Sequence, residues 1–585
     1  MALRRGVALV FAFIGLAALV SMAGMTFMYF AVSRAPAVPS SATLVLRPGG
    51  DLQEVIPDDV VGQVFGREVD TVRGFVDNLQ KAKRDSRIKT VLLMPSGLQL
   101  PYWAKVQELR EAIVDFRKSG KRVVAFLEYG GDREYYLATA ADKVYLLPSS
   151  PLDLSGVASY EIFLRGAFDK VGAYPDFIHI GDYKSAANQL TEKGFTPAHR
   201  EMTESLNRDT YEQLVRGIAD GRKKSEKDVR ALLDQGPFVA EEALRVGLVD
   251  DLAYEDELDD REPTLSEDDM DRIEGRNYQR ITPASVGFRP RSRIALVYAV
   301  GTIASGKSTF DPLNGTVLGS DTLIEQIRDA RDDDSIKAIV LRVDSPGGSA
   351  LASDVIWREL MITRDADNAR PLIVSMSDLA ASGGYYIAMA GDSIVAQPGT
   401  LTGSIGVFGG KFAIGGALNK VGVNHDAVVS GPNASIDSPF TPFTPSQRAK
   451  VQEMMQSVYD DFVDKAAESR NTTPEKMHAV AQGRVWTGQQ ARERGLVDAL
   501  GGLDTAIAIA KERAKIPKDE DVELVVFTGR RTLYEALSEQ FGGGASLLLT
   551  FASRSDARAI GALTAPARLF KRGEPLTLLP FAFVR

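Results

Sequence analysis

The 585-residue chain contains no cysteine, which excludes thiol nucleophiles, disulfides and cysteine-held zinc. Histidine is nearly as scarce. His179, His199, His425 and His478 are the whole complement, and none stands in an H-E-x-x-H pattern, so a zinc hydrolase finds little support. Basic residues are in deficit: 69 Lys and Arg against 78 Asp and Glu leave a formal net charge of -9. That balance argues against non-specific nucleic-acid binding, and no nucleic-acid partner is expected. Hydrophobic residues make up 44% and charged residues 25%, as in ordinary globular protein. The length leaves room for several domains.

One stretch lacks charge altogether. GVALVFAFIGLAALVSMAGMTFMYFAV covers residues 6–32. As a helix it would run roughly 40 Å, against a hydrocarbon core of about 30 Å. A cleaved signal peptide has an apolar region of only about 7–15 residues. Residues 1–36 therefore read as a short cytoplasmic N-terminus and a transmembrane signal-anchor, with a long cleaved signal as the alternative. Arg4 and Arg5 precede the run and Arg34 follows it. The positive-inside rule then favours a cytoplasmic N-terminus and an exported body.

The remainder is one unit written twice. RDSRIKTVLLMPSG (84–97) matches DDDSIKAIVLRVDS (332–345), and REYYLATAADKVYLLP (133–148) matches GGYYIAMAGDSIVAQP (383–398). AFDKVGAYPDF (167–177) matches ALNKVGVNHDA (417–427), and AEEALRVGLVDDL (240–252) matches TGQQARERGLVDAL (487–500). A constant offset near 250 over four segments marks an internal repeat. Short apolar strands alternate with helical stretches such as 71–83 and 321–331, which predicts stacked βαβ-type units. The expected organisation is two tandem homologous α/β domains, 37–285 and 286–515. An acidic stretch, 255–276, reads as linker or solvated surface, and residues 516–585 read as a tail without an assigned role.

A possible nucleotide site fails on context. GTIASGKSTF (301–310) fits G-x-x-x-x-G-K-[ST], and the apolar run RIALVYAV (293–300) before it reads as a buried strand. A P-loop needs its helix to begin at once, because the helix N-terminus supplies N–H groups and positive dipole to the phosphates. Here Pro312 and the Asn314-Gly315 turn signal intervene, and the helix is expected only near Asp321, capped by Ser320 or Asp321. The corresponding strand of the first repeat, 41–52, carries no Gly-Lys-Ser. Lys307 reads as an exposed surface residue.

The repeats differ where chemistry would need them to. The second reads AASGGYYIAMAG (380–391) where the first reads GGDREYYLATAA (130–141), so Ser382 answers to Asp132. Gly383 and Gly384 follow Ser382 at the start of a helical stretch, where N–H groups can hold an oxyanion. VDSPGGSA (343–350) adds the pair Gly347 and Gly348 at a strand end, and the first copy's MPSGLQLP lacks such a pair. One oxyanion donor is therefore expected near Gly348 and the other at Gly383, although Pro-Gly and Ser-Gly also mark plain turns. A serine nucleophile needs a base, and no histidine lies near either motif. The first repeat offers GDYKSAANQL (181–190) against GPNASIDSPF (431–440) in the second, so Lys184 answers to Ala434. One copy has the lysine without the serine, the other the serine without the lysine. A lone lysine is usually a solvated charge; the complementarity argues otherwise.

Lys184 in GDYKSA, Ser382 in ASGGYY, the VDSPGG segment and TLTGSIGV (400–407) resemble the signal peptide peptidase A (protease IV) family of membrane-anchored serine proteases, in its long, duplicated form. The resemblance implies a fold of the ClpP/crotonase group, a Ser–Lys dyad with Ser382 as nucleophile and Lys184 as general base, and Ser404 orienting the lysine. It also implies a bowl-shaped homo-oligomer (a tetramer), signal peptides and other apolar peptides as substrates, and no metal or cofactor. The implied location is the bacterial inner membrane, with the catalytic body on the periplasmic side. Two other classes remain open on the residues alone: a non-catalytic membrane scaffold of crotonase-like repeats, and crotonase-type acyl-CoA chemistry sharing the oxyanion hole.

Overall fold

The computed structural model describes residues 15, 20, 24, 38–55, 70–266, 270–311, 315–366, 369–527, 576–578 and 583–584. The expected anchor, 6–32, lies outside these residues save three isolated positions. Among the described residues no helix is long and apolar enough to cross a membrane.

Two parallel sheets of the same strand order form the frame. The first runs Asp251–Leu252, Lys143–Leu146, Arg122–Leu127, Ile88–Leu93, Ala42–Leu46, Asp271–Glu274. The second runs Ala499–Leu500, Ser393–Ala396, Leu372–Ala381, Ile336–Ser345, Ser292–Val300, Val522–Phe527, with Leu401–Gly403 continuing beside the end of Leu372–Ala381. The central strands are apolar on both faces, such as IKTVLL and IKAIVLRVDS, as strands covered on both sides must be. Amphipathic helices cover them: Val72–Arg84 and Ala104–Arg117 in the first repeat, Ser320–Asp332 and Ala350–Arg364 in the second. Each repeat also carries a long helix opened by Thr-Pro. Thr196 caps Pro197–Arg222 and Thr444 caps Pro445–Ser469, each side chain accepting a backbone N–H of the first turn.

The identical order exposes two departures from the sequence expectation. Residues 255–276 are not a solvated linker. Leu258 and Leu265 are buried, and Asp271–Glu274 pairs in parallel with Ala42–Leu46. Val522–Phe527 takes the same place beside Ser292–Val300, so the second sheet runs past residue 515. Asp271–Glu274 reads as polar because it is a sheet edge, with much of its surface in water, whereas Val522–Phe527, apolar as VELVVF, lies beyond the boundary expected at 515.

A third sheet crosses the seam between repeats. Tyr174–Ile180 of the first pairs antiparallel with Val407–Ala413 of the second along seven residue pairs. Deeper in the seam lies a charge network. Arg342 is 1% exposed; its guanidinium donates to Glu54 at 2.9 and 3.0 Å, to Glu108 at 2.6 Å and to Ser375 Oγ at 2.8 Å. Burial opposes ionisation of Glu54, but the Arg342 charge outweighs it and holds that carboxyl down at about 2. Nearby, Lys105 Nζ lies 2.8 Å from Asp344 and 3.8 Å from Asp378. Removing one partner of such a set leaves a buried uncompensated charge, at a cost of about 3–5 kcal/mol. These pairs tie the two repeats into one body.

The Gly-Lys-Ser segment folds back on the helix it would have to serve. Asp321 N donates to Gly306 O at 2.9 Å, Gly306 N donates to Ser320 Oγ at 3.2 Å, and Ser308 N donates to Thr322 Oγ1 at 2.9 Å. The helix begins at Ser320 with Gly319 as its cap, not Ser320 or Asp321. The chain itself satisfies that helix end where a phosphate would sit. Lys307 is exposed, as expected.

Candidate active site

Ser382 stands between the strand Leu372–Ala381 and the short helix Gly383–Ala388. Its backbone is at φ 58, ψ -114, a region costly for any residue with a Cβ. The turn is held from outside: Ser382 N donates to Gly403 O at 2.8 Å, and Tyr386 N donates to Ser382 O at 2.8 Å. Tyr385 and Tyr386, the repeated Tyr-Tyr pair, anchor the helix in the core at 0% and 2% exposure. Tyr385 donates to Leu496 O at 3.1 Å, while Tyr135 in the first repeat donates to Leu248 O at 2.6 Å. The repeated motif is thus a shared anchor.

Lys184 comes from the first repeat. It follows the seam strand Tyr174–Ile180 and opens the short helical turn Ser185–Ala187. Tyr183 N donates to Gln482 O at 2.9 Å, fixing the arm on the second repeat. Lys184 Nζ lies 2.7 Å from Ser382 Oγ. It lies 3.0 Å from Ser404 O and 3.0 Å from Ser404 Oγ. Ser382 and Ser404 are 0% exposed and Lys184 is 1% exposed. Burial drives the Lys184 ammonium well below its ordinary value of 10.5, because desolvation penalises the charged form.

Ser404 is also at positive φ, 52. Its N–H donates to Arg484 O at 2.7 Å, and Gly483 N donates to Ile405 O at 2.7 Å. Gly483 is a residue the sequence reading missed. It sits at φ +79, and a Cβ there would fall 2.5 Å from the Cα, Cβ and N of Lys184. Only glycine leaves room for the lysine arm.

Gly348 lies in the strand Gly347–Ser349, between Thr302–Ala304 and a third strand, Leu576–Leu578. A Cβ at Gly348 would fall 2.0 Å from Ile303 O, so this close approach requires glycine. Ser345, not singled out from sequence, supports the turn. Its Oγ accepts from Gly347 N at 3.2 Å and donates to Gly301 O at 2.7 Å. Gly383 is the first residue of the helix after Ser382.

The matching place in the first repeat is chemically closed. Asp132 Oδ1 accepts Ser155 N at 3.2 Å and Gly156 N at 3.1 Å. Ala434, the counterpart of Lys184, is exposed. The structure thus brings Lys184 of the first repeat against Ser382 and Ser404 of the second.

With one copy's lysine against the other copy's serine, the likeness to known proteins can be stated. Residues 115–267 and 364–517 each match the model of peptidase family S49. The chain belongs to peptidase family S49. The first match contains Lys184, the second Ser382 and Ser404. The chain is 39% identical to the chloroplastic serine protease SPPA of Arabidopsis thaliana over 77% of its own length and 66% of the plant protein. It is 35% identical to protease 4 of Salmonella typhi over 78% of its length and 74% of that chain. Against protease 4 of Haemophilus influenzae it is 30% identical over 76% of its length and 73% of the relative. It is a serine peptidase of the long form, carrying two copies of the S49 domain on a mixed α/β frame.

Proposed function

We propose that this S49 peptidase is a membrane-anchored endopeptidase that digests cleaved signal peptides and other apolar peptides with a Ser382–Lys184 dyad. The observation that carries the reading is the 2.7 Å separation of Lys184 Nζ from Ser382 Oγ in a buried seam. A neutral amine has two N–H groups and one lone pair. Ser404 O and Oγ, each 3.0 Å away, take the two N–H groups and aim the lone pair at the Ser382 hydroxyl. An exposed lysine, with a pKa near 10.4, is almost wholly protonated at neutral pH. Desolvation of Lys184 supplies the unprotonated base.

Ser382 Oγ attacks the scissile carbonyl carbon as Lys184 takes its proton. The N–H groups of Gly348 and Gly383 hold the oxyanion, each worth about 2.7–4 kcal/mol of barrier. Lys184 then protonates the departing amine, and water, deprotonated by the same amine, releases the acyl group. Neither metal nor cofactor enters these steps. The frame on which they occur is read as of the ClpP/crotonase kind.

The anchor at residues 6–32 would tether the body to the periplasmic face of a bacterial inner membrane, beside its apolar substrates. A homo-oligomer, by resemblance a tetramer, belongs to the same proposal. In the first repeat Ile178 is 8% exposed within its strand pairing. The corresponding Val428 of the second is 102% exposed, and residues 421–432 are exposed throughout. A neighbouring copy offering its first repeat would cover that arm, as the second repeat covers Tyr174–Ile180 within the chain.

The test is direct. Ser382→Ala and Lys184→Ala each abolish cleavage of an apolar peptide while the circular dichroism spectrum stays unchanged, and a fluorophosphonate labels Ser382 alone. Turnover retained by either variant would falsify the dyad.

A further inference from the structure

The helix Pro474–Val480 of the second repeat is followed by a turn, 481–484, that runs beside Lys184. Its backbone holds the site from behind. Gln482 O accepts Tyr183 N at 2.9 Å, Gly483 N donates to Ile405 O at 2.7 Å, and Arg484 O accepts Ser404 N at 2.7 Å. The Arg484 side chain adds a second set of contacts. Its guanidinium lies over the Tyr183 ring, 4.6 Å from the centroid, and over the Trp486 ring at 4.3 Å. Its edge donates to Glu201 Oε2 at 2.6 Å and to Oε1 at 2.9 Å. Glu201 belongs to Pro197–Arg222, the long helix of the first repeat. The Arg484 hydrogen bonds hold that carboxyl below its usual range, so it is ionised at neutral pH. The Arg484 side chain is 13% exposed, which shields the stack from screening by salt.

Each contact ends on an element that places the dyad. Tyr183 directly precedes Lys184 in the chain, Ser404 Oγ lies 3.0 Å from its Nζ, and Glu201 sits on the repeat that supplies it. A lysine stem is flexible over four carbons, so the resting place of Nζ depends on how firmly its backbone is held. The hydrogen bonds of Lys184 Nζ go to Ser382 and Ser404; Arg484 stands one step behind them. A planar guanidinium can stack on rings while its edge engages a carboxylate at two points, which an ammonium cannot do. We propose that Arg484 is a positioning residue for the hydrolysis: its side chain clamps the arm that carries Lys184, its carbonyl fixes Ser404, and Glu201 anchors the clamp. This rests on the Ser382–Lys184 reading and deepens it.

The test measures turnover of an apolar peptide by the full chain, per folded molecule. Arg484→Met should lower kcat by about 10²-fold, the scale of a misplaced reacting group, and leave KM within about twofold, since the base is disturbed and not the bound peptide. Arg484→Lys keeps the charge but loses the planar fork, and should lose at least about tenfold. The acid limb of the kcat profile should move up by about one pH unit in Arg484→Met, because a looser arm admits water to Lys184 and favours its ammonium. Tyr183→Leu leaves every charge in place and should shift that limb the same way. Glu201→Gln, whose side chain is 54% exposed, should give a smaller loss in the same direction, and it carries the test where Arg484→Met lowers the folded fraction. Arg494→Met is the control. Arg494 also stacks on Trp486, at 3.9 Å, but its other contacts are Gln490 O and Glu493, so its kcat should hold. Full turnover in Arg484→Lys, or an acid limb that moves in Arg484→Met and stays fixed in Tyr183→Leu, overturns the clamp, as does an equal loss in Arg494→Met. Each of these leaves the dyad standing. No fluorophosphonate labelling of Ser382 in the parent overturns dyad and clamp together.

Discussion

Two lysines cross the seam between the repeats, and burial acts on both with opposite outcomes. Lys105 is 8% exposed and Lys184 is 1% exposed. Burial alone would push either ammonium down. Around Lys105 it is outweighed: Asp344 at 2.8 Å and Asp378 at 3.8 Å raise the lysine above its ordinary value. Burial carries the Asp378 carboxyl up to about 7 against the pull of Lys105. Around Lys184 the polar neighbours are hydroxyls and a carbonyl, and burial prevails. The first lysine is a cation that joins the repeats; the second is the proposed base. What separates them is whether a carboxylate shares the site, a difference of a few ångströms in one interface.

The comparison can be broken first at Lys105. Lys105→Met leaves Asp344 and Asp378 without their cation, and chemical denaturation should report a loss of about 3–5 kcal/mol. Activity per folded molecule should hold, because Lys105 touches neither Ser382 nor Lys184. A loss under 1 kcal/mol would mean the pair contributes little to the seam. The converse change gives Lys184 what Lys105 has. Ser404→Asp sets a carboxylate against Nζ, raises the ammonium, and should lower turnover at neutral pH by roughly 10²-fold or more. Partial recovery on moving to alkaline pH separates this cause from misfolding, which pH would not relieve.

Stability should show the same contrast more gently. The folded pKa of Lys184 lies below its unfolded value, so between the two the unfolded chain holds one more proton and wild-type stability rises with pH. Lys184→Met removes that term. It should stabilise the protein most below the folded pKa, and the gain should shrink by up to about 1.4 kcal/mol per pH unit until it vanishes near pH 10.4. A gain independent of pH would show that Lys184 is not desolvated. The smallest effect expected is none: Lys307→Ala should leave peptide turnover unchanged, with or without ATP, since the Gly-Lys-Ser turn caps its own chain.

Much of the site was legible in the linear chain because duplication supplies an internal control. Ser382 against Asp132 and Lys184 against Ala434 stood out by difference. Gly483 did not, since its role lies in the close approach of Lys184, which only the folded chain shows. The edge strand Asp271–Glu274 was hidden by its polarity, and Leu576–Leu578 by its length of three residues. Edges and short insertions bury too little of their own surface to leave a periodic signature.

The order of amino acids alone determined that there are two α/β units, that one holds Lys184 and the other Ser382 where the repeats differ, and that thiol and disulfide chemistry are excluded. Composition, repetition and strand pattern are properties of a line, and they survive without coordinates. Only the tertiary structure decided that Lys184 meets Ser382 at 2.7 Å, that Lys105 is paired while Lys184 is not, and that Leu576–Leu578 pairs beside Gly348. Those depend on the dielectric and on distances across the seam, between residues some two hundred positions apart. Neither quantity exists until the chain has closed on itself.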